Sequence, residues 1–316
     1  MKLDTFEFQI YKKLKNHAQQ NNSYLLGVSG GMDSMVLLHA FHKISKKLEV
    51  SFSACHVHHG TFGKKSQVVY REKVKKFVAK ICADYQVSLL APTIALSAGG
   101  SEAEMRDFRL TALREIKNRN GFSRIVLAHH QDDLLETRVI RLIRGTGPQG
   151  LVSMQEDSSE LAIYRPLLDF SQGEIKKYAK HHKLKWLDDP SNRDEKVLRN
   201  WVRKSWLPAL EKKRVGGINS LGRSLALLAQ FVENHQDAAL VGENVESLDR
   251  SLLSAVGVAK KQQMIAGFLR RKKITNYSLN QINEVIKRLN TKRKYFHFVV
   301  AKVEWQVGDK LAILKG

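Results

Sequence analysis

The 316-residue chain is 43% hydrophobic and 27% charged, the balance of a globular protein whose length suits two domains, each large enough to bury a core. No apolar run reaches membrane-spanning length, and two cysteines, Cys55 and Cys82, outside any Cys-x-x-Cys pair, exclude a disulfide framework. The net charge of +22 points instead to a polyanionic partner, of which nucleic acid is the commonest large one. Residues 1–7 lack the apolar centre of a signal peptide, so the cytoplasm is the expected compartment.

Residues 6–20 carry amphipathic helical spacing through Phe6, Phe8, Ile10 and Leu14. A strand over 24–28 then runs into Ser29-Gly30-Gly31-Met32-Asp33-Ser34 and a helix over about 33–44. Such a strand–loop–helix aims backbone N–H groups and the positive end of a helix dipole at one point, which makes an anion site. Gly30 and Gly31 allow close approach to a phosphate, Ser29 and Ser34 add hydroxyls, and Asp33 calls for a cation such as Mg²⁺ beside that phosphate. No Lys follows the glycines, and their spacing is not that of a dinucleotide fold.

Strands over 50–57, 87–90 and 125–128 alternate with helices over about 65–84, from the Ser101 cap to about 120, and over about 132–144. The expected fold is therefore α/β, a doubly wound parallel sheet covered on both faces, with ligands at the strands' carboxyl ends. Ser101-x-x-Glu104, Ser171-x-x-Glu174 and Ser278-x-x-Gln281 have capping-box spacing. Beyond residue 151 the strand–helix rhythm is expected to stop, and Pro208 to bend or divide a helix over 198–213. Gly216-Gly217 marks the expected boundary between a catalytic domain, 1–215, and a smaller, mainly helical domain, 216–316, ending in a β-hairpin from Tyr295 to Leu314.

The positive charge clusters. Residues 176–214 hold thirteen Lys/Arg against five Asp/Glu, and Arg270-Arg271-Lys272-Lys273 and Lys292-Arg293-Lys294 follow. Trp186, Trp201 and Trp206 lie in or beside the first run, and at least two of them are expected to be structural. The stretch His129-His130-Gln131-Asp132-Asp133-Leu134-Leu135-Glu136 gathers imidazoles and carboxylates near a helix start. It reads as an acid/base and positioning patch that accepts a proton from an attacking amine. Zinc shared with His56, His58 and His59 is the lesser reading, since no ligand spacing supports it. Arg106, in Ser101-Glu102-Ala103-Glu104-Met105-Arg106, suits a clamp on phosphate or oxyanion.

Ser29-Gly30-Gly31-Met32-Asp33-Ser34 after a strand resembles the signature of the PP-loop ATP pyrophosphatase superfamily. With His56-Val57-His58-His59-Gly60, Glu102–Arg106, Leu127–Asp133, Arg144-Gly145-Thr146-Gly147, Arg165-Pro166-Leu167-Leu168 and Asp189-Pro190-Ser191-Asn192 in that order, residues 23 to about 205 resemble the tRNA(Ile)-lysidine synthases. The resemblance implies ATP and Mg²⁺ as cofactors. It implies transfer of AMP to the C2 oxygen of the wobble cytidine of tRNA(Ile), then displacement of AMP by free L-lysine, which switches codon reading from AUG to AUA. It assigns Ser29, Gly30, Gly31, Met32, Asp33 and Ser34 to ATP, Asp33 to the metal, and Asp33, Arg106, His129 and Asp133 to catalysis. His58 departs from the Asn common there. The chain resembles the family's short form, so tRNA recognition is expected to rest on residues 176–316. Monomer and homodimer both remain open. A tRNA thiolase of the same superfamily is the competing enzyme, poorly supplied with cysteine. A non-catalytic RNA-binding protein with a vestigial nucleotide site is the competing reading from another class.

Overall fold

The computed structural model describes residues 3–18, 23–58, 60, 65–92, 102–234, 247–272, 274, 277–291 and 293–315. The chain divides into two compact units, one formed by residues through Leu135 with Met154–Trp201, the other by Glu136–Ser153 with Val202–Gly316.

In the first unit the strands β1 (Ser23–Gly27), β2 (Ser51–Cys55), β3 (Leu89–Leu90), β4 (Arg124–Val126), β5 (Asp157–Ser158) and β6 (Ile163–Tyr164) lie in the order β3-β2-β1-β4-β6-β5. All neighbours are parallel except β5, which runs antiparallel to β6 at the edge. Side chains alternate across the strands. Tyr24, Leu26, Ala54, Val126 and Tyr164 therefore join one core cluster, and Leu25, Cys55, Ile125 and Ile163 join the other. The first cluster is completed by α1 (Thr5–Ala18), α2 (Met32–Leu48), α3 (Lys65–Asp84) and α6 (Gln172–His181); the second by α4 (Glu102–Arg119), through Ala112, Leu113 and Ile116. Burial on both faces explains why β1 reads as an unbroken apolar run.

The expected rhythm holds through α5 (Gln131–Ile143), and it continues further than expected. β6 adds a parallel strand, pairing Ile163 with Ile125 and Tyr164 with Val126. Two residues are too few to show a period. The capping boxes at Ser171 and Ser278 form as expected. The Gly99-Gly100-Ser101 start of the third lies outside the described residues, as does His59.

The chain from Leu198 onward departs more. Leu198–Lys213 is not one helix but α7 (Leu198–Trp201), a π-helical stretch Val202–Trp206, and α8 (Leu207–Lys213) with Pro208 in its first turn. Proline lacks the N–H an interior turn needs, and the wide π turn precedes it. Arg203 in that stretch donates through Nε and Nη2 to the buried Glu136 carboxylate at 2.6 and 2.8 Å. The unit boundary does not fall at Gly216-Gly217. Gly216 (φ +78°) turns α8 into α9 (Gly217–Asn234), and the Glu211 carboxylate accepts from the backbone N–H groups of Gly216 and Ile218 at 2.7 and 3.0 Å. The double glycine is a pinned corner, not a linker.

The terminal hairpin is part of a larger sheet. β7 (Ser247–Asp249), β8 (Phe296–Val300), β9 (Val303–Val307) and β10 (Lys310–Lys315) form an antiparallel sheet in the order β7-β10-β9-β8. Its core, around fully buried Trp305, is shared with α10 (Arg250–Ala255), α11 (Val258–Arg271) and α12 (Leu279–Leu289). Ala301 and Lys302 take positive φ at the β8–β9 turn, the left-handed geometry that two-residue hairpin loops demand.

Candidate active site

The parallel strands of the first unit deliver four loops to one edge of the sheet. β1 runs into Ser29–Asp33, β2 into His56–Gly60, β4 into His129–Asp133, and β6 directly into Arg165. Carboxyl ends are where open α/β sheets hold ligands.

The glycine loop is shaped for close approach. Gly30 has φ +83°, and a Cβ there would meet Val74 Cγ1 at 2.7 Å. Only glycine satisfies both the backbone and the space. The Gly30 carbonyl accepts from Leu187 N at 3.0 Å. Gly31 is the N-cap of α2 and, being glycine, brings no side-chain cap of its own; its N–H donates to Ser29 Oγ at 3.4 Å. The first-turn N–H groups and positive dipole end of α2 are thus left for an anion. Ser29 Oγ donates to Ser34 Oγ at 3.1 Å, and Ser34 Oγ donates to the Gly31 carbonyl at 2.9 Å. Met32 packs against the core, so its part in the loop is its backbone.

Asp33 stands in the first turn of α2. Its Oδ2 lies 3.7 Å from His130 Nε2, while its Oδ1 is buried with no hydrogen-bond partner among the described residues. An orphaned buried acceptor costs about 1–3 kcal/mol, and a carboxylate oxygen so placed fits a divalent cation with oxygen ligands.

His130 is the hub of this cluster. It is 1% exposed, with Nε2 3.4 Å from Asp133 Oδ2 and Nδ1 3.5 Å from Asp132 Oδ2. Burial opposes charge on the ring, but Asp132, Asp33 and Asp133 outweigh it and push the imidazole up to about 10. Asp133 Oδ2 also accepts from His130 N at 3.2 Å, and Asp132 Oδ2 from Gln172 N at 2.8 Å. His129, one residue earlier, is driven the other way. Burial chiefly, with the charges of Arg106, Arg165 and Arg199, holds it down at about 3 against the pull of Asp133. Two adjacent rings thus differ in charge at neutral pH, the mark of a site that assigns separate roles to like groups. A ring titrating near 3 is a poor proton acceptor at neutral pH.

Asp33, Asp133, His129 and Arg106, the catalytic residues named from sequence, come into one neighbourhood. Arg106 reaches it electrostatically, depressing both His129 and Arg165. Two members were not singled out. His130 was visible only as half of a His-His pair, and Arg165 follows a strand that the sequence did not reveal. The zinc reading gains nothing here. His56 Nδ1 is bonded to the Val28 carbonyl at 2.8 Å, and His58 Nε2 lies 3.1 Å from Glu72 Oε1. Among the described residues no metal-competent cluster includes either.

A PP-loop domain family matches residues 3–210. A tRNA(Ile)-lysidine synthase of Bdellovibrio bacteriovorus is 36% identical over 305 residues, spanning 95% of this chain and 94% of that one. The chain belongs to the tRNA(Ile)-lysidine synthase family. A synthase of that name from Histophilus somni is 36% identical over 222 residues, and the match spans 68% of this chain but only 50% of the relative, about half its length. Among solved structures, a U34-tRNA thiolase from Methanococcus maripaludis superposes with a TM-score of 0.57 at 19% identity, covering 80% of this chain and 84% of that one. That likeness shows the shared fold. The thiols of this synthase-family chain are unlike reactive ones: burial pushes Cys55 up to about 12 and Cys82 up to about 11, far from the thiolate that sulfur chemistry needs.

The second unit offers a different surface. A groove of about 630 Å³ is lined by Leu228 and Phe231 of α9 and by Lys260, Met264, Arg270 and Arg271 of α11, among others. Leu228 and Phe231 are 52% and 61% exposed. Among the described residues that line it there is no carboxylate. Of the three tryptophans in or beside the basic run, Trp186 packs against the first unit's core and Trp201 is 38% exposed.

Proposed function

We propose that this protein joins free L-lysine to C2 of the wobble cytidine of tRNA(Ile) at the expense of ATP. The observation that carries the reading is the convergence, in the first unit, of a helix with a glycine N-cap after Ser29-Gly30 with the Asp33, Asp132 and Asp133 carboxylates around one charged histidine. The backbone of residues 29–34 receives the ATP phosphates. The cytidine C2 oxygen attacks the α-phosphorus and pyrophosphate leaves; the ε-amine of lysine then attacks C2 and AMP leaves. Arg106 offsets the charge that develops on the phosphate oxygens. Asp133 takes the proton that the lysine ammonium must lose before it attacks. Asp33 is the residue that would hold Mg²⁺, which supplies charge neutralisation for the departing pyrophosphate.

The second unit binds the tRNA through the basic groove, where exposed Phe231 offers a stacking face and Lys260, Arg270 and Arg271 offer phosphate contacts. The cytoplasm, where unmodified tRNA and ATP meet, is the proposed compartment, with no membrane partner; among the described residues no helix is long and apolar enough to cross a membrane. Oligomerisation into a homodimer is not required by this scheme. The test supplies labelled lysine, ATP and unmodified tRNA(Ile) bearing a cytidine wobble base. Lysine is expected in the tRNA with one AMP and one pyrophosphate released per lysine; folded protein that turns over neither overturns the reading.

A further inference from the structure

Arg165 leaves the end of β6 with its side chain buried, at 5% exposure. Its Nη1 donates to the Gln155 carbonyl at 2.8 Å, and its Nε donates to His129 Nδ1 at 3.2 Å. A guanidinium has donors only and keeps its charge. The nitrogen facing it must therefore present a lone pair, so the single proton of a neutral His129 is on Nε2. A second proton on the ring would bring two donors face to face.

We infer that Arg165 is a positioning residue that locks His129 as its neutral Nε2–H tautomer, making this histidine a hydrogen-bond donor to an oxygen of the bound substrate and not a base. The inference rests on the proposed function for the identity of that substrate, but not for the tautomer. The charged groups acting on the ring are Arg106, Arg165 and Arg199 on one side of the balance and Asp133 on the other. Three guanidiniums beside a neutral N–H donor select an oxygen-rich, electron-rich ligand group: a phosphate oxygen of the nucleotide, or the C2 oxygen of the base as it gains charge. An imidazolium would add a further positive charge to a site that already holds three guanidiniums and, one residue on, the charged His130, and Arg165 opposes it both by charge and by geometry.

Nitrogen NMR of ring-labelled protein reads the tautomer without any turnover. The His129 ring is expected to stay in the Nε2–H form from pH 8 to pH 5, to begin titrating in Arg165→Met, and to be restored in Arg165→Lys, whose ammonium still donates. A ring found protonated, or carrying its proton on Nδ1, at pH 7 overturns the inference even if lysidine is formed. Binding and turnover supply a second arm that does not depend on Arg165 variants folding. His129→Gln keeps an N–H donor near the Nε2 position, and His129→Leu does not. Glutamine is expected to be at least about tenfold better than leucine, in affinity for a non-hydrolysable ATP analogue if the acceptor is a phosphate, or only in turnover with tRNA if the acceptor is the base. Glutamine and leucine equally impaired in both assays would remove the donor role.

Discussion

The first unit contains two buried histidine–carboxylate clusters that composition alone does not tell apart. One gathers Asp33, His130, Asp132 and Asp133 at the strand ends. The other joins α1, α2 and α6. There the buried Glu7 accepts from Lys43 at 2.6 Å and from Tyr178 at 2.8 Å, Tyr178 meets His39 at 2.7 Å, and His182 meets Asp4 at 2.9 Å. Glu7, His39 and His182 even present ligand atoms within 4.8 Å of one another, as a metal site would. Yet each of these groups is matched by a neighbour. In the strand-end cluster, Asp33 Oδ1 and His130 Nδ1 are buried without a hydrogen-bond partner among the described residues. A saturated polar network holds a fold together, whereas one left short of partners at a sheet's carboxyl edge is waiting for a ligand.

Substitutions should separate the two clusters. Asp33→Asn is expected to lower lysine incorporation by on the order of 10²–10³-fold while leaving the urea midpoint unchanged or higher, because a crowded charge is removed. Wild-type turnover in that variant would break the contrast. Glu7→Leu should do the reverse. It strands Lys43 and Tyr178, which is expected to cost about 3 kcal/mol of stability, with turnover per folded molecule preserved; urea titration and active-site counting read the two effects.

The pH dependence of stability sharpens the same contrast. Burial chiefly, aided by Lys43 and His182, holds His39 down at about 4 against its ordinary 6.5. Between those values the unfolded chain takes up a proton that the fold refuses, so stability falls as pH drops from 6.5 to about 4. His39→Asn, which keeps a partner for Tyr178, is expected to remove about 2 kcal/mol of that acid loss after allowance for screening, measured by urea unfolding at pH 7 and pH 4.5. The smallest effect belongs to the groove of the second unit. Lys260→Ala should make the logarithmic fall of tRNA affinity with salt shallower by about 0.9, and an unchanged slope would place the RNA elsewhere.

Most of the sheet was legible because its buried strands are apolar runs between glycines and charged helices. Leu25, Leu26, Ile125 and Val126 declare themselves. The glycine loop was legible residue by residue, since conformation and chemistry both restrict what stands there. β6 was not legible; Arg165 stood out only within the Arg165-Pro166-Leu167-Leu168 motif, and its place in the site comes from the strand it follows. His130 and His129 are neighbours of one type. Only the backbone's direction decides which ring meets the carboxylates. In the second unit the tail's alternation showed a hairpin, but its partner β7 is three residues long and far off in sequence. A tight helix corner and a domain linker use the same residues, so Gly216-Gly217 does not tell them apart from sequence alone.

One consequence lies at the margins of the first unit's sheet. Both outermost strands, Leu89–Leu90 and Asp157–Ser158, are two residues long, and the second reverses direction. A neighbouring molecule seeking to extend the sheet finds almost no unpaired backbone to grip. The unit should therefore tolerate crowding and partial warming without templating strand-to-strand aggregates, a built-in safeguard that owes nothing to catalysis.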